Sequence, residues 1–151
     1  MATVHDLDAY LLAVHGPMGA MKLQKLVYFS QAWSLVWDGQ PIFREPIEAW
    51  AKGPVVPDLY RKHRGQPYVS SLPGGDAAAL QAAERATADA VLAVFGGWSD
   101  RPLSRLTHAE PPWREVARNG EITPSRLLAH YGSYRVAKGE FPPEVLRGLA
   151  V

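Results

Sequence analysis

Apolar residues recur at helical spacing along most of the chain. Val4, Leu7, Leu11 and Val14 share one face of a first helix, which Thr3 is placed to cap and Gly16-Pro17 to stop. In the second, KLQKLVYFSQAWSLVW, the residues Leu23, Leu26, Val27, Ser30, Trp33 and Trp37 form one face. That leaves Lys22, Lys25 and Gln31 away from it or at its edge, and Asp38-Gly39 ends the helix. The four prolines between Pro41 and Pro57 exclude a helix there. Ile42–Arg44 and Ile47–Trp50 are instead candidates for extended chain, as a short hairpin or an irregular arm.

Helical signals resume with a short segment over Asp58–His63, followed by a polar loop over Gly65–Gly75. Asp76 is placed to cap a long helix from Ala77 to Phe95, closed by Gly96-Gly97, with Leu80, Ala83, Thr87, Val91 and Val94 on its inner line. Shorter helices are predicted over Leu103–His108, Pro112–Arg118, Pro124–Tyr131 behind the Thr123 cap, and Pro143–Leu149. The pattern describes a mainly α fold: a single helical domain over residues 1–151, with a short proline-rich extended or hairpin segment near 41–57.

Composition narrows the function classes. With 47% hydrophobic and 21% charged residues the chain is globular rather than disordered. The absence of cysteine removes disulfides, thiolate metal sites and thiol nucleophiles, and fits a cytoplasmic location. No apolar run is long enough to span a membrane, and the N-terminus lacks the basic-then-apolar order of a signal peptide. Sixteen basic residues against 15 acidic ones make a net charge of +1, so phosphate-driven nucleic-acid binding is not expected. The compact basic cluster Arg61, Lys62, His63 and Arg64 reads as a solvated helix end.

The histidines are scattered, with no H-E-x-x-H, no phosphate-loop spacing and no G-x-S-x-G. His108-Ala109-Glu110 matches half of a zinc deaminase motif, whose other half needs cysteines. The expectation is therefore a protein that is not an enzyme, with no catalytic residues, no metal and no cofactor.

Aromatic residues say more. Trp33 and Trp37 lie one helical turn apart, as core residues do, and Trp50 and Tyr60 flank Gly53-Pro54, where a stiff turn is expected. Lys22 and Lys25 form either a solvated edge or a polar contact to a partner. His108 is expected to hydrogen-bond a backbone carbonyl or a carboxylate and lock the join between two short helices, and Trp113 is expected to be buried and structural.

Three segments carry a resemblance. Met21–Trp33 matches a K-L-Q-K-L-x-Y-x-x-Q-x-W pattern, Glu48–Tyr60 matches E-A-W-x-x-G-P-V-x-P-x-L-Y, and Leu106–Trp113 matches T-H-x-E-x-P-W. In this order they resemble the Panacea domain of SocA-like antitoxins. The resemblance implies a mainly helical antitoxin of a toxin–antitoxin pair, common on phages and other mobile elements, that neutralises a cognate protein toxin by direct binding. Delivery of the toxin to a protease, a winged-helix-like nucleic-acid-binding regulator and self-association remain open alternatives. The toxin-binding surface is expected along an exposed edge made by Lys22, Lys25 and Tyr28 with the turn at Lys52, Gly53, Pro54 and Tyr60. Leu23, Gln24, Trp33, Trp50, His108 and Trp113 are motif residues expected to hold the fold.

Overall fold

In the computed structural model, which describes residues 1–147, the chain is arranged around one central helix. This helix, α2 (Ala20–Asp38), touches α1 (Val4–His15), α4 (Ala82–Phe95), α5 (Asp100–Ala109) and α7 (Pro124–Tyr131). Short helices α3 (Pro57–His63), α6 (Pro111–Arg114) and α8 (Pro143–Leu146) fill the periphery. The mainly α expectation holds, and Leu149, where the last predicted helix ended, lies outside the described residues.

Local signals explain most boundaries. Thr3 and Asp6 cap α1 reciprocally: Thr3 Oγ1 accepts from the Asp6 amide at 3.3 Å and Asp6 Oδ2 accepts from the Thr3 amide at 2.8 Å. Gly39, at φ +68°, closes α2 in the left-handed conformation that glycine adopts without strain. Thr123 caps α7 by accepting from the Arg126 amide. Within α1 the inner face turns: Leu12 is buried, whereas Val14 is 55% exposed.

The predicted helix over Ala77–Phe95 is interrupted. Asp76 caps only a 3₁₀ turn at Ala77–Ala79, and Leu80 is extended and drops into the core. Glu84 Oε1 then accepts from the Gln81 amide at 2.8 Å and starts α4 afresh. The second start shifts the inner line to Thr87, Ala88, Val91 and Phe95, leaving Ala83 exposed and Val94 half-buried. α5 begins at Asp100, ahead of the predicted Leu103. α6 ends at Arg114, short of the predicted Arg118, because the chain turns through Asn119, at φ +66°, into a strand.

Two small sheets complete the fold. β2 (Ile47–Trp50) is the centre of an antiparallel sheet, with β3 (Gly53–Val55) on one side and β5 (Glu121–Ile122) on the other. The hairpin expected near 41–57 is therefore present, but it turns at Ala51-Lys52 rather than at Gly53-Pro54, which are strand residues. Ile42–Arg44 forms no strand, although Ile42 and Phe43 are fully buried. The segment read as a polar loop contains β4 (Tyr68–Val69), paired with β1 (Met18–Gly19).

An aromatic cluster joins the C-terminal helices to α2. Phe29 stacks on Phe95 with centroids 4.7 Å apart, and Trp33 packs against Trp37, Tyr131 and Phe141 at 5.2–5.4 Å. Removing a ring of this kind costs about 3–5 kcal/mol.

One core residue opposes folding. Asp8 is 1% exposed, and neither carboxylate oxygen has a hydrogen-bond partner among the described residues. His5 Nδ1 stands 3.6 Å from Asp8 Oδ2. Burial raises the Asp8 carboxyl to about 7; Asp6 adds to the rise and Lys62 opposes it. The folded chain thus holds a proton that the unfolded chain releases near pH ~3.9. Stability falls as pH rises from there through about 7 and is level above. Replacing Asp8 with Asn is expected to raise the melting temperature at pH 8 by about 5 °C, an unpaired buried charge being worth roughly 2 kcal/mol. At pH 4 the gain should vanish; thermal melts at the two pH values check it.

Candidate functional site

The polar residues of α2 face inward. Gln24 binds the backbone of Val56 as a neighbouring strand would: Oε1 accepts from its amide at 2.9 Å and Nε2 donates to its carbonyl at 3.3 Å. Gln24 Nε2 also lies 3.0 Å from His63 Nε2. Two turns on, Gln31 Oε1 accepts from the amides of Ile42 (2.8 Å) and Phe43 (3.3 Å), and Nε2 donates to the Phe43 carbonyl at 2.8 Å. These bonds explain how Ile42 and Phe43 are buried outside any sheet. Ser34 Oγ donates to the Gln40 carbonyl at 2.7 Å.

Two lysines do the same. Lys22 Nζ donates to the Gly96 carbonyl at 2.6 Å, at the end of α4. Lys25, with no exposed surface, donates to the Pro54 carbonyl at 3.3 Å. Burial lowers its ammonium to about 8, with Asp100 opposing and Lys52 adding to the fall. The expectation that Lys22, Lys25 and Tyr28 form an exposed edge is overturned: they are 9%, 0% and 1% exposed. The physical reason is that α2 is surrounded, so it has no solvent margin between its ends.

Tyr28 belongs to a second buried network. Its hydroxyl meets that of Tyr131 at 3.0 Å, Tyr131 donates to Glu110 Oε1 at 2.7 Å, and His130 Nε2 stands 3.5 Å from Glu110 Oε2. Burial pushes both phenols up. Glu110 therefore faces α7 rather than pairing with His108. The His108 ring packs on Trp113 with centroids 4.0 Å apart. Its Nε2 is buried without a hydrogen-bond partner among the described residues, while the backbone of Ala51 bonds the ring, a partner of the kind expected from the sequence but on the hairpin. Burial first, then Lys25, holds the imidazole below its ordinary range, against the Ala51 backbone. Trp113 is half-buried rather than buried. Its Nε1 donates to the Trp50 carbonyl at 2.8 Å, and the Arg118 guanidinium lies 3.9 Å over its ring.

These contacts set the walls of a surface groove of about 630 Å³. Met21 at the start of α2, Trp50–Lys52 and Val55 of the hairpin, Tyr60 of α3, the loop Arg64–Pro67 and Asp100 of α5 surround it. Trp50 meets Tyr60 edge to face at 4.9 Å. Of the surface residues expected from the sequence, Lys52 and Tyr60 open onto this groove, while Gly53 and Pro54 are buried behind it. Leu23, Gln24 and Trp33 are in the interior and Trp50 lines the groove. Met21, Val55, Arg64 and Asp100 were not singled out for this surface. They come from separate elements and share no periodicity; only the basic cluster at 61–64 pointed toward one of them. Among the described residues no group of three or more His, Asp or Glu is placed to hold a metal ion, and no helix is long and apolar enough to cross a membrane.

Gly53 lies between the hairpin and Lys25. At φ +120° it occupies a conformation that strains other residues, and a Cβ there would lie 2.6 Å from Lys25 Cε. Gly53→Ala is expected to destabilise the fold by about 3 kcal/mol, measured by urea unfolding. Lys25 carries a pH signature. An ammonium lowered to about 8 in the folded chain makes stability rise with pH from there to its unfolded value near ~10.4. Lys25→Met should fold and lose that rise, as unfolding curves at pH 7.5 and 10 would show.

Residues 23–114 match the family described as antitoxin SocA-like, Panacea domain. No curated protein and no solved structure matches the chain. The family match begins on the buried helix that anchors the hairpin, takes in most of the groove and ends one residue past Trp113. It covers more than half of the sequence, and the chain belongs to the SocA-like antitoxin family of Panacea domains.

Proposed function

We propose that this protein is the antitoxin of a toxin–antitoxin pair and neutralises a cognate toxin by direct protein–protein binding, without chemistry of its own. Membership of the SocA-like antitoxin family carries the reading. The groove supports it: aromatic side chains with a polar and charged rim are typical of protein-binding anchors. The polar residues of α2 are engaged by internal hydrogen bonds, so this surface is held in place before a partner arrives, which lowers the entropy lost on docking.

The open reading frame next to this one supplies the test. Its product, induced alone, is expected to stop growth, and co-expression of this protein is expected to restore it, with the two proteins copurifying as a complex. Restored growth with no complex, and with toxin levels falling only when a host protease is present, would replace direct neutralisation by delivery to that protease. Unrestored growth beside a toxic neighbour would sink the antitoxin reading.

A further inference from the structure

We propose that the groove between the β2–β3 hairpin, α3 and the start of α5 docks a short acidic segment of the partner protein. Its aliphatic side chains would rest on Met21, Trp50 and Tyr60, and its carboxylates would meet Lys52 and Arg64. The proposal rests on the antitoxin reading for the partner's identity, but its chemistry comes from the groove itself.

Charge complementarity selects the occupant. The chain as a whole is close to neutral, at +1, yet positive charge is gathered here. Lys52 and Arg64 line the groove and are exposed. Behind the hairpin lies the Lys25 ammonium, close enough to Gly53 that a Cβ there would be 3.1 Å from it. Lys25 has no carboxylate within ion-pair distance among the described residues. Asp100 is the one carboxylate among the lining residues and acts on both Lys22 and Lys25. Among the lining residues two cations thus stand against one acid, with the Lys25 ammonium behind the hairpin, while the nearby Glu48 carboxylate is engaged by Trp50 Nε1. A carboxylate arriving in the groove would complete the pairing, and its field would reach Lys25 through the thin, glycine-containing wall.

Size and surface restrict the occupant further. A volume of about 630 Å³ suits a few residues rather than a domain face or a nucleic-acid duplex. The Trp50–Tyr60 pair offers apolar area for aliphatic side chains between the charges. Phosphate would also be drawn to the cations, but it would leave this apolar floor uncovered.

The probe is a phage-displayed library of random peptides, about 12 residues long, selected on the immobilised full-length protein. Enriched peptides should combine Asp or Glu with Leu, Ile or Val, and their affinity should fall with added salt. The double variant Lys52→Glu/Arg64→Glu should bind them about tenfold or more weakly while melting at the wild-type temperature, since both side chains are exposed. Peptides in which the acids are changed to lysine should bind that variant better than they bind the wild type. Enrichment without acidic residues, or unchanged affinity in the double variant, overturns the proposal. Growth rescue then assigns the partner. If the wild type rescues and the double variant rescues equally, the toxin does not use this groove. Failure of the wild type to rescue strikes the antitoxin reading, while the peptide selection still decides the chemistry of the groove.

Discussion

A lysine, glutamine or serine inside a helical core is tolerated only where its polar head meets a partner, since an unmet buried group costs about 1–3 kcal/mol. α2 carries Lys22, Gln24, Lys25, Gln31 and Ser34 in such surroundings, and each reaches backbone: Gln31 and Ser34 that of the irregular stretch around 40–43, Gln24 and Lys25 that of β3 and the residue after it, and Lys22 that of the end of α4. Two needs are met at once. The side chains are satisfied, and the irregular stretch around 40–43, the outer side of β3 with Val56, and the end of α4 acquire hydrogen bonds that no neighbouring strand or helix turn provides. Take away the inward heads and the hairpin bordering the groove has little to position it on that side.

Much of the fold was legible because it depends on local chemistry. Thr3, Gly39 and Thr123 act within one turn of themselves, and the boundaries they mark were read correctly. The Gln81–Glu84 cap is hidden in the sequence because alanines on both sides favour an unbroken helix, and the extended backbone of Leu80 marks the break. The inward turn of Lys22 and Lys25 was not legible. On a helix packed on one side, those positions would be solvated. Nothing in the spacing says that α4, α5, α7 and the hairpin close around α2 on all sides. The aromatic spacing of Trp33 and Trp37 gave the right answer because stacked rings one turn apart need only their own helix to meet.

The site followed the same division. Lys52 and Tyr60, which open onto the groove, belong to the Glu48–Tyr60 segment that the sequence marks as a motif. Arg64 and Asp100 reach the groove through the ends of two helices far apart in sequence, which no local pattern encodes. The groove is thus lined largely by residues at element ends, while the inward-facing motif residues Gln24 and Lys25 help fix where the hairpin lies.

The placement of Tyr131 has a practical consequence for anyone dividing this chain. Residues 23–114 define the family match, but the phenol that completes the Tyr28–Glu110 network lies beyond that limit, as do Ile122 and Phe141 of the core. α1, which packs against α2, lies ahead of it. A fragment trimmed to the matched limits would bare Tyr28, Trp33 and the edge of β2 to water and leave Glu110 without its donor. The unit by which the family is recognised is smaller than the unit that folds.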